Sequence, residues 1–269
     1  MMNLIATLQR KRKLHFVTFI FSFVLFVPQQ SMADTLRIAT DEWCPYDCIA
    51  SQNDGKVGYM GDLLVAAMQN RGHKVEFVEV SYSRGLELVR EGKLDATMAC
   101  FKEEAPDFVF SNAVQGISNS TFFSRKGNDW RYQGLDSLKQ AKMIGVIKGY
   151  DYVDSEVMDY INQHPKNVLE ITGEKPLERL LQMLLSGRLT AVIDDKMVLE
   201  YKIQQMGYAD QVRVSGSTSA VINVYSGFSP VLPKSKQYAQ ILEEEVEKMR
   251  QSGQLQKILS TYGIQDWQR

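Results

Sequence analysis

Apolar positions along the chain recur in two rhythms, one of two residues and one of three to four, and the rhythms alternate from about residue 35 to residue 265. "TLRIAT" (35–40) alternates over six positions and predicts a strand. "DGKVGYMG" (54–61) is rich in glycine and leads into "DLLVAAMQNRG", where Leu63, Leu64, Ala67 and Met68 share one helical face. Asp62 is expected to cap that helix, because a carboxylate can accept from the free N–H groups of a first turn. Gly72 is expected to stop it. "KVEFVEV" (74–80) alternates strictly and predicts the second strand.

A longer pattern then repeats. "SRGLELVREGKLDATMAC" (83–100) and "ERLLQMLLSGRLTAVIDD" (178–195) correspond at an offset of 95, with Arg84 on Arg179, Leu86 on Leu181 and Gly92 on Gly187. Each copy reads as an amphipathic helix, a glycine stop and a buried strand, "LDATMA" or "LTAVID". "KMIGVI" (142–147) and "VLEIT" (168–172) add strands to the second half. Strands alternating with helices imply α/β architecture with mostly parallel sheets. Ligands of open α/β sheets bind beyond the carboxyl ends of strands. Both repeated strands end in reactive or polar side chains, Cys100, Phe101 and Lys102 in one and Asp194 and Asp195 in the other, and facing halves would set these ends on opposite walls of a cleft. Because successive side chains on a strand alternate, only one of Asp194 and Asp195 is expected to face that cleft, and Asp195 is preferred. The segment 225–237 returns to an acidic helix, "YAQILEEEVEKMRQSG", whose run Glu243 to Glu245 reads as a solvated face.

The first 33 residues follow a different rule. Arg10, Lys11, Arg12 and Lys13 precede an apolar run of 14 residues, "LHFVTFIFSFVLFV", then Pro28 and the small residues of "SMA". A bilayer needs about 20 apolar residues, so the segment is expected to be a secretory signal peptide cleaved after Ala33. Removing it takes four of the 31 Lys and Arg and none of the 32 Asp and Glu, so 27 basic residues face 32 acidic ones and the formal charge becomes −5. An acidic chain without a basic run is a poor nucleic-acid binder. Export to an oxidising space also permits disulfides. In "TDEWCPYDC" (40–48) the expected pair is Cys44–Cys48, with a bridge from either to Cys100 as the rival. Zinc usually wants four ligands, and no Cys or His run accompanies these thiols, so neither metal nor cofactor is expected. His73 and His164 fit no HExxH spacing and no G-x-S-x-G motif is present, which argues against the common hydrolases.

Read in order, "LRIATDEWCPY", "DGKVGYMGDLL", "LVREGKLDATMA", "FSNAV", "MIGVIKGYDY", "GRLTAVIDD" and "LQKILSTYGI" resemble the bacterial extracellular solute-binding proteins of family 3, which serve ABC importers of polar amino acids. The resemblance spans residues 35–265. It implies a type II periplasmic-binding-protein fold: two α/β lobes, each a mostly parallel sheet flanked by helices, joined by a two-strand hinge. Lobe 1 would comprise 34–118 and 226–269 and lobe 2 residues 119–225. It also implies a periplasmic monomer that closes on a small solute and passes it to a permease in the inner membrane. Asp41 matches a position that holds a ligand ammonium group, although an Asx-turn would equally place it. Trp43 and Tyr82 match aromatic positions that sandwich ligand, Lys148 a second-lobe contact, and Asp195 the carboxylate that meets an α-amino group. One departure bears on specificity. Amino-acid binders of the family carry an arginine before "FS" that forks onto the α-carboxylate. Here "CFKEEAPDFVFS" (100–111) has none, and Lys102 and Arg84 are the nearest cations. An amino acid or a related amine or cationic metabolite is therefore the expected ligand. A lyase on the same fold, with Asp195 or Glu103 as general acid, and a receptor for a membrane sensor are the alternatives.

Overall fold

The computed structural model describes residues 33–268, which belong to one compact unit. The signal peptide expected over 1–33 lies outside the described residues except for Ala33.

The first sheet is built from both ends of the chain. Its strands are β1 (Thr35–Thr40), β2 (Lys74–Glu79), β3 (Ala96–Cys100), β4 (Val109–Phe110), β5 (Gly116–Ser118) and β11 (Ile222–Phe228). They lie in the order β2-β1-β3-β11-β4, with β5 also on β11. The second sheet holds β6 (Ser120–Arg125), β7 (Ile144–Ile147), β8 (Val168–Ile171), β9 (Ala191–Asp195) and β10 (Val212–Ser217), in the order β10-β6-β9-β7-β8. In each, three strands run parallel, and strands arriving by crossing or return segments pair antiparallel. The boundary expected at residue 225 falls inside β11, which pairs wholly with the first sheet. Its apolar inward residues Val224 and Phe228 are buried there.

The helices are α1 (Tyr59–Gln69), α2 (Tyr82–Arg90), α3 (Leu135–Gln140), α4 (Ser155–Gln163), α5 (Pro176–Leu185), α6 (Lys196–Gln205), α7 (Ser235–Ser252) and α8 (Gln254–Ser260). The repeat is real in three dimensions. Helix α2 leads to β3 as α5 leads to β9, and β3 lies parallel to β1 as β9 lies parallel to β7. Val89 and Leu184, at matching repeat positions, are both fully buried.

Two local expectations need correction. Helix α1 begins three residues before Asp62, after Gly58 at φ +82°. A Cβ on Gly58 would sit 2.3 Å from the Tyr46 carbonyl oxygen, so the close approach of two backbones selects glycine there. Asp62 lies within the first turn instead and accepts from the Tyr262 hydroxyl at 2.8 Å. In α7, Glu245 is not on a solvated face. It is only 4% exposed, and Arg71, Lys248 and Asn70 donate to it. Among the described residues no helix is long and apolar enough to cross a membrane.

Candidate functional site

The carboxyl ends of β1, β3, β7 and β9 converge on one cavity, and the segments that follow them supply its walls. After β1 the chain makes a tight loop closed by the Cys44–Cys48 disulfide. Asp47 is buried and ties the loop to its strand, accepting from the Thr40 hydroxyl at 2.5 Å and from the Asp41 N–H at 3.1 Å. Asp41 accepts from Glu42 N–H at 2.8 Å and from Tyr82 N–H at 2.9 Å, so its carboxylate serves the first turn of α2. Trp43 then projects across the cavity and its Nε1 donates to Asp194 Oδ1 at 3.0 Å. On β3, Ala99 adopts a left-handed φ of +51° where the pairing with β11 shifts register. The resulting bulge turns the strand end toward the cavity, which Met98, Ala99 and Phe101 line. Tyr82 opens α2 and donates through its hydroxyl to Glu104 Oε2 at 2.5 Å.

The opposite wall comes from β9 and from the loop after β7. Tyr150 meets Tyr82 edge to face at 6.3 Å between ring centroids. Tyr150, Asp151 and Tyr152 all line the cavity. Asp194 and Asp195, at the end of β9, are 2% and 4% exposed and both line it. Their oxygens differ in a way that alternation alone does not foresee. Asp195 ends the strand and starts α6: its Oδ1 accepts from Met197 and Val198 N–H, its Oδ2 from the Ser118 hydroxyl and Asn119 N–H. Asp194 Oδ1 accepts from Trp43 and from Asp195 N–H, whereas Oδ2 is buried with no hydrogen-bond partner.

The electrostatics are one-sided. Asp41, Asp47, Glu104, Asp151, Asp194 and Asp195 line the cavity, with the rings of Trp43, Tyr82, Phe101, Tyr150 and Tyr152; no Lys, Arg or His does so among the described residues. Burial pushes the carboxyl groups of Asp194 and Glu104 up to about 7, the hydrogen bonds from Trp43 and Tyr82 respectively acting against it. Burial likewise raises Asp41, Asp47 and Asp195, in each case against hydrogen bonds that favour the anion. The cavity is narrow: the centre of a water molecule can range over about 40 Å³ of it.

Of the residues singled out in the sequence, Asp41, Trp43, Tyr82, Phe101 and Asp195 line this cavity. Arg84, Cys100, Lys102 and Lys148 do not. Arg84 is exposed and pairs with Glu87 at 2.7 Å. Lys102 lies over the Tyr225 ring, 4.2 Å from its centroid. Lys148 is exposed. Cys100 is buried and unbridged, with its thiol pushed up to about 12 by burial. Glu103, the other general acid considered beside Asp195, is exposed and outside the lining. The residues overlooked are Asp47, Met98, Ala99, Glu104, Ser118, Ser120, Tyr150, Asp151, Tyr152 and, in its role, Asp194. "GYDY" directly after the strand "MIGVI" was the available signal, because strand ends carry ligand contacts in this architecture.

The bulk of the chain, residues 36–265, matches the family model of bacterial extracellular solute-binding proteins, family 3. No curated protein matches. Among solved structures, an ancestral arginine-binding protein bound to arginine is 23% identical, covers 86% of this chain and 98% of its own, and superposes with a TM-score of 0.70. A histidine kinase sensor domain with similarity to periplasmic binding proteins is 17% identical over 85% of this chain and 96% of its own, with a TM-score of 0.68. The AbpA amino acid ABC transporter substrate-binding protein of Streptococcus pneumoniae, bound to L-arginine, is 19% identical over 85% and 94%, with a TM-score of 0.66. These likenesses establish a type II periplasmic-binding-protein fold. By its matched length and the order of its elements, the chain belongs to the family 3 bacterial extracellular solute-binding proteins.

Proposed function

We propose that the protein captures a small polar solute, an amino acid or a related amine or cationic metabolite, between its two sheets and delivers it to an ABC importer. The observation that carries this reading is the cavity where the strand ends of both sheets meet, walled by rings and carboxylates, with Asp194 Oδ2 free to accept. Residues 1–33 direct the chain to the periplasm and are removed, and the mature monomer meets a permease of the inner membrane. Its lobes are 34–118 with 226–269, and 119–225, adjusted so that all of β11 joins lobe 1. The paired strands β5 and β11 lead into the crossing and form the hinge, and closure is a rigid-body motion of one lobe on the other. Trp43, Tyr82 and Phe101 present faces to the solute, and Asp194 receives its cationic group.

One observation favours a second reading, a lyase on this scaffold. Asp194 and Glu104 both line the cavity, and burial pushes both up to about 7, where a general acid or base is most effective. Incubating the protein with a metabolite library separates the two. A ligand that raises the melting temperature and is recovered unaltered supports capture, since binding stabilises by RT ln(1 + [L]/Kd). Conversion of the stabilising compound replaces capture with catalysis. A membrane-sensor role would show instead as binding to a kinase ectodomain rather than to a permease.

A further inference from the structure

A carboxylate on a solute calls for a cation to meet it, and in this cleft every charged side chain on the lining is an acid. The two cations that stand nearest in sequence are spent elsewhere, Arg84 on the exposed Glu87 and Lys102 on the Tyr225 ring. A zwitterion would bring its own negative charge into a pocket already lined by six carboxyl groups, with no cationic side chain on the lining to pair it. Like charges a few ångströms apart in a low-dielectric space repel strongly. The positive end meets the opposite situation. Asp194 lines the cavity, and its Oδ2 is buried with no donor; an unpartnered buried carboxylate oxygen is costly unless a ligand supplies one. The rings of Trp43, Tyr82 and Tyr150 stand around the same space, and ring faces attract a desolvated cation.

We infer that the cleft takes an organic cation that carries no carboxylate, an alkylamine or guanidine whose charged head binds Asp194 and whose aliphatic part lies among Trp43, Tyr82 and Tyr150. The inference rests on the solute-capture reading and narrows it to a substrate class. The solute enters with the lobes apart, because the hydrogen bond from Trp43 to Asp194 bridges the cavity. Closure then replaces the indole N–H, or adds to it, with donors from the cation.

The test compares matched pairs that differ only in the carboxylate: L-arginine with agmatine, L-lysine with cadaverine, and L-ornithine with putrescine. Titration calorimetry is run at pH 8 on protein freed of copurified solute by unfolding and refolding. The expected result is at least tenfold tighter binding of the decarboxylated member in one pair or more. In Asp194→Asn, which keeps an oxygen for Trp43, that affinity falls by at least thirtyfold while the unliganded melting temperature holds or rises. Tighter binding of the amino acid in every pair, or binding only of neutral or anionic solutes, overturns the inference and leaves capture standing. Unchanged affinity in Asp194→Asn removes Asp194 as the seat of the charge. Failure of every compound in a broad metabolite panel to bind overturns both readings. If the variant does not fold, the matched pairs on the native chain still decide.

Discussion

Two adjacent aspartates end β9, and their environments divide the work between them. Asp195 is surrounded by donors from α6, Ser118 and Asn119, so Asp195→Asn replaces one acceptor with an amide that faces N–H groups. We expect it to cost about 1–3 kcal/mol of stability while leaving solute affinity nearly unchanged, measured by denaturant melts beside calorimetry. Asp194 is raised to about 7 chiefly by burial. Between about pH 4 and 7 the folded protein holds a proton there that the unfolded chain has released, so stability falls as pH rises through that window. Above pH 7 the whole penalty is present, on the order of 4 kcal/mol at most for a shift of this size. Asp194→Asn should therefore flatten the decline in melting temperature between pH 4 and 8, and an unaltered slope would show that Asp194 is already open to solvent. Alternation along a strand predicted one inward aspartate. It preferred Asp195, whereas both line the cavity, because the strand ends at this point and the helix that follows takes the Asp195 carboxylate as its cap.

At the scale of elements, periodicity read well where burial is one-sided. The repeated helix, glycine and strand were visible because Leu, Val and Ala recur at helical spacing and then run continuously into a buried strand. The ends of elements read poorly. Gly58, and not Asp62, starts α1 because the Tyr46 backbone lies against it, a contact between residues whose approach the loop determines. That loop also carries Trp43, and its Cys44–Cys48 bridge joins residues four apart. Closing so short a loop stabilises by about 2 kcal/mol in the chain-entropy model. The double variant Cys44→Ser/Cys48→Ser is expected to lose about that much and to bind solute more weakly, because Trp43 loses its brace. Equal affinity at reduced melting temperature would confine the bridge to stability.

At the scale of the whole molecule, contacts far apart in sequence hold the two sheets together. Lys202 on α6 is 5% exposed and meets Glu42, in the loop after β1, at 3.1 Å, and Glu178 on α5 at 3.4 Å. Gln205 reaches Asn53 beside it. Breaking a buried pair from one side is costly because the partner charge stays behind. Lys202→Met should lose about 3 kcal/mol, and adding Glu42→Leu should restore part of it. No recovery in the double variant would place the loss in packing rather than charge. On the solute-capture reading, the acidic cavity would work against closure in the unliganded protein, as its carboxyl groups ionise above pH 7. A cation at Asp194 would reverse that balance, and lobe closure would then be coupled to binding through charge.

The order of strands and helices, the two-part repeat and the membership in a solute-binding family follow from local periodicity and motif order, since these depend on residues near one another in the chain. The acidic character of the cleft was half visible, in the arginine missing before "FS". That Lys102 lies on the Tyr225 ring, that Asp195 also accepts from Ser118, and that Asp194 keeps a free oxygen beside Trp43 depend on pairs up to 151 residues apart. Such pairings arise only when the strand ends are brought together, because hydrogen-bond supply at a buried carboxylate is a property of its neighbours in space.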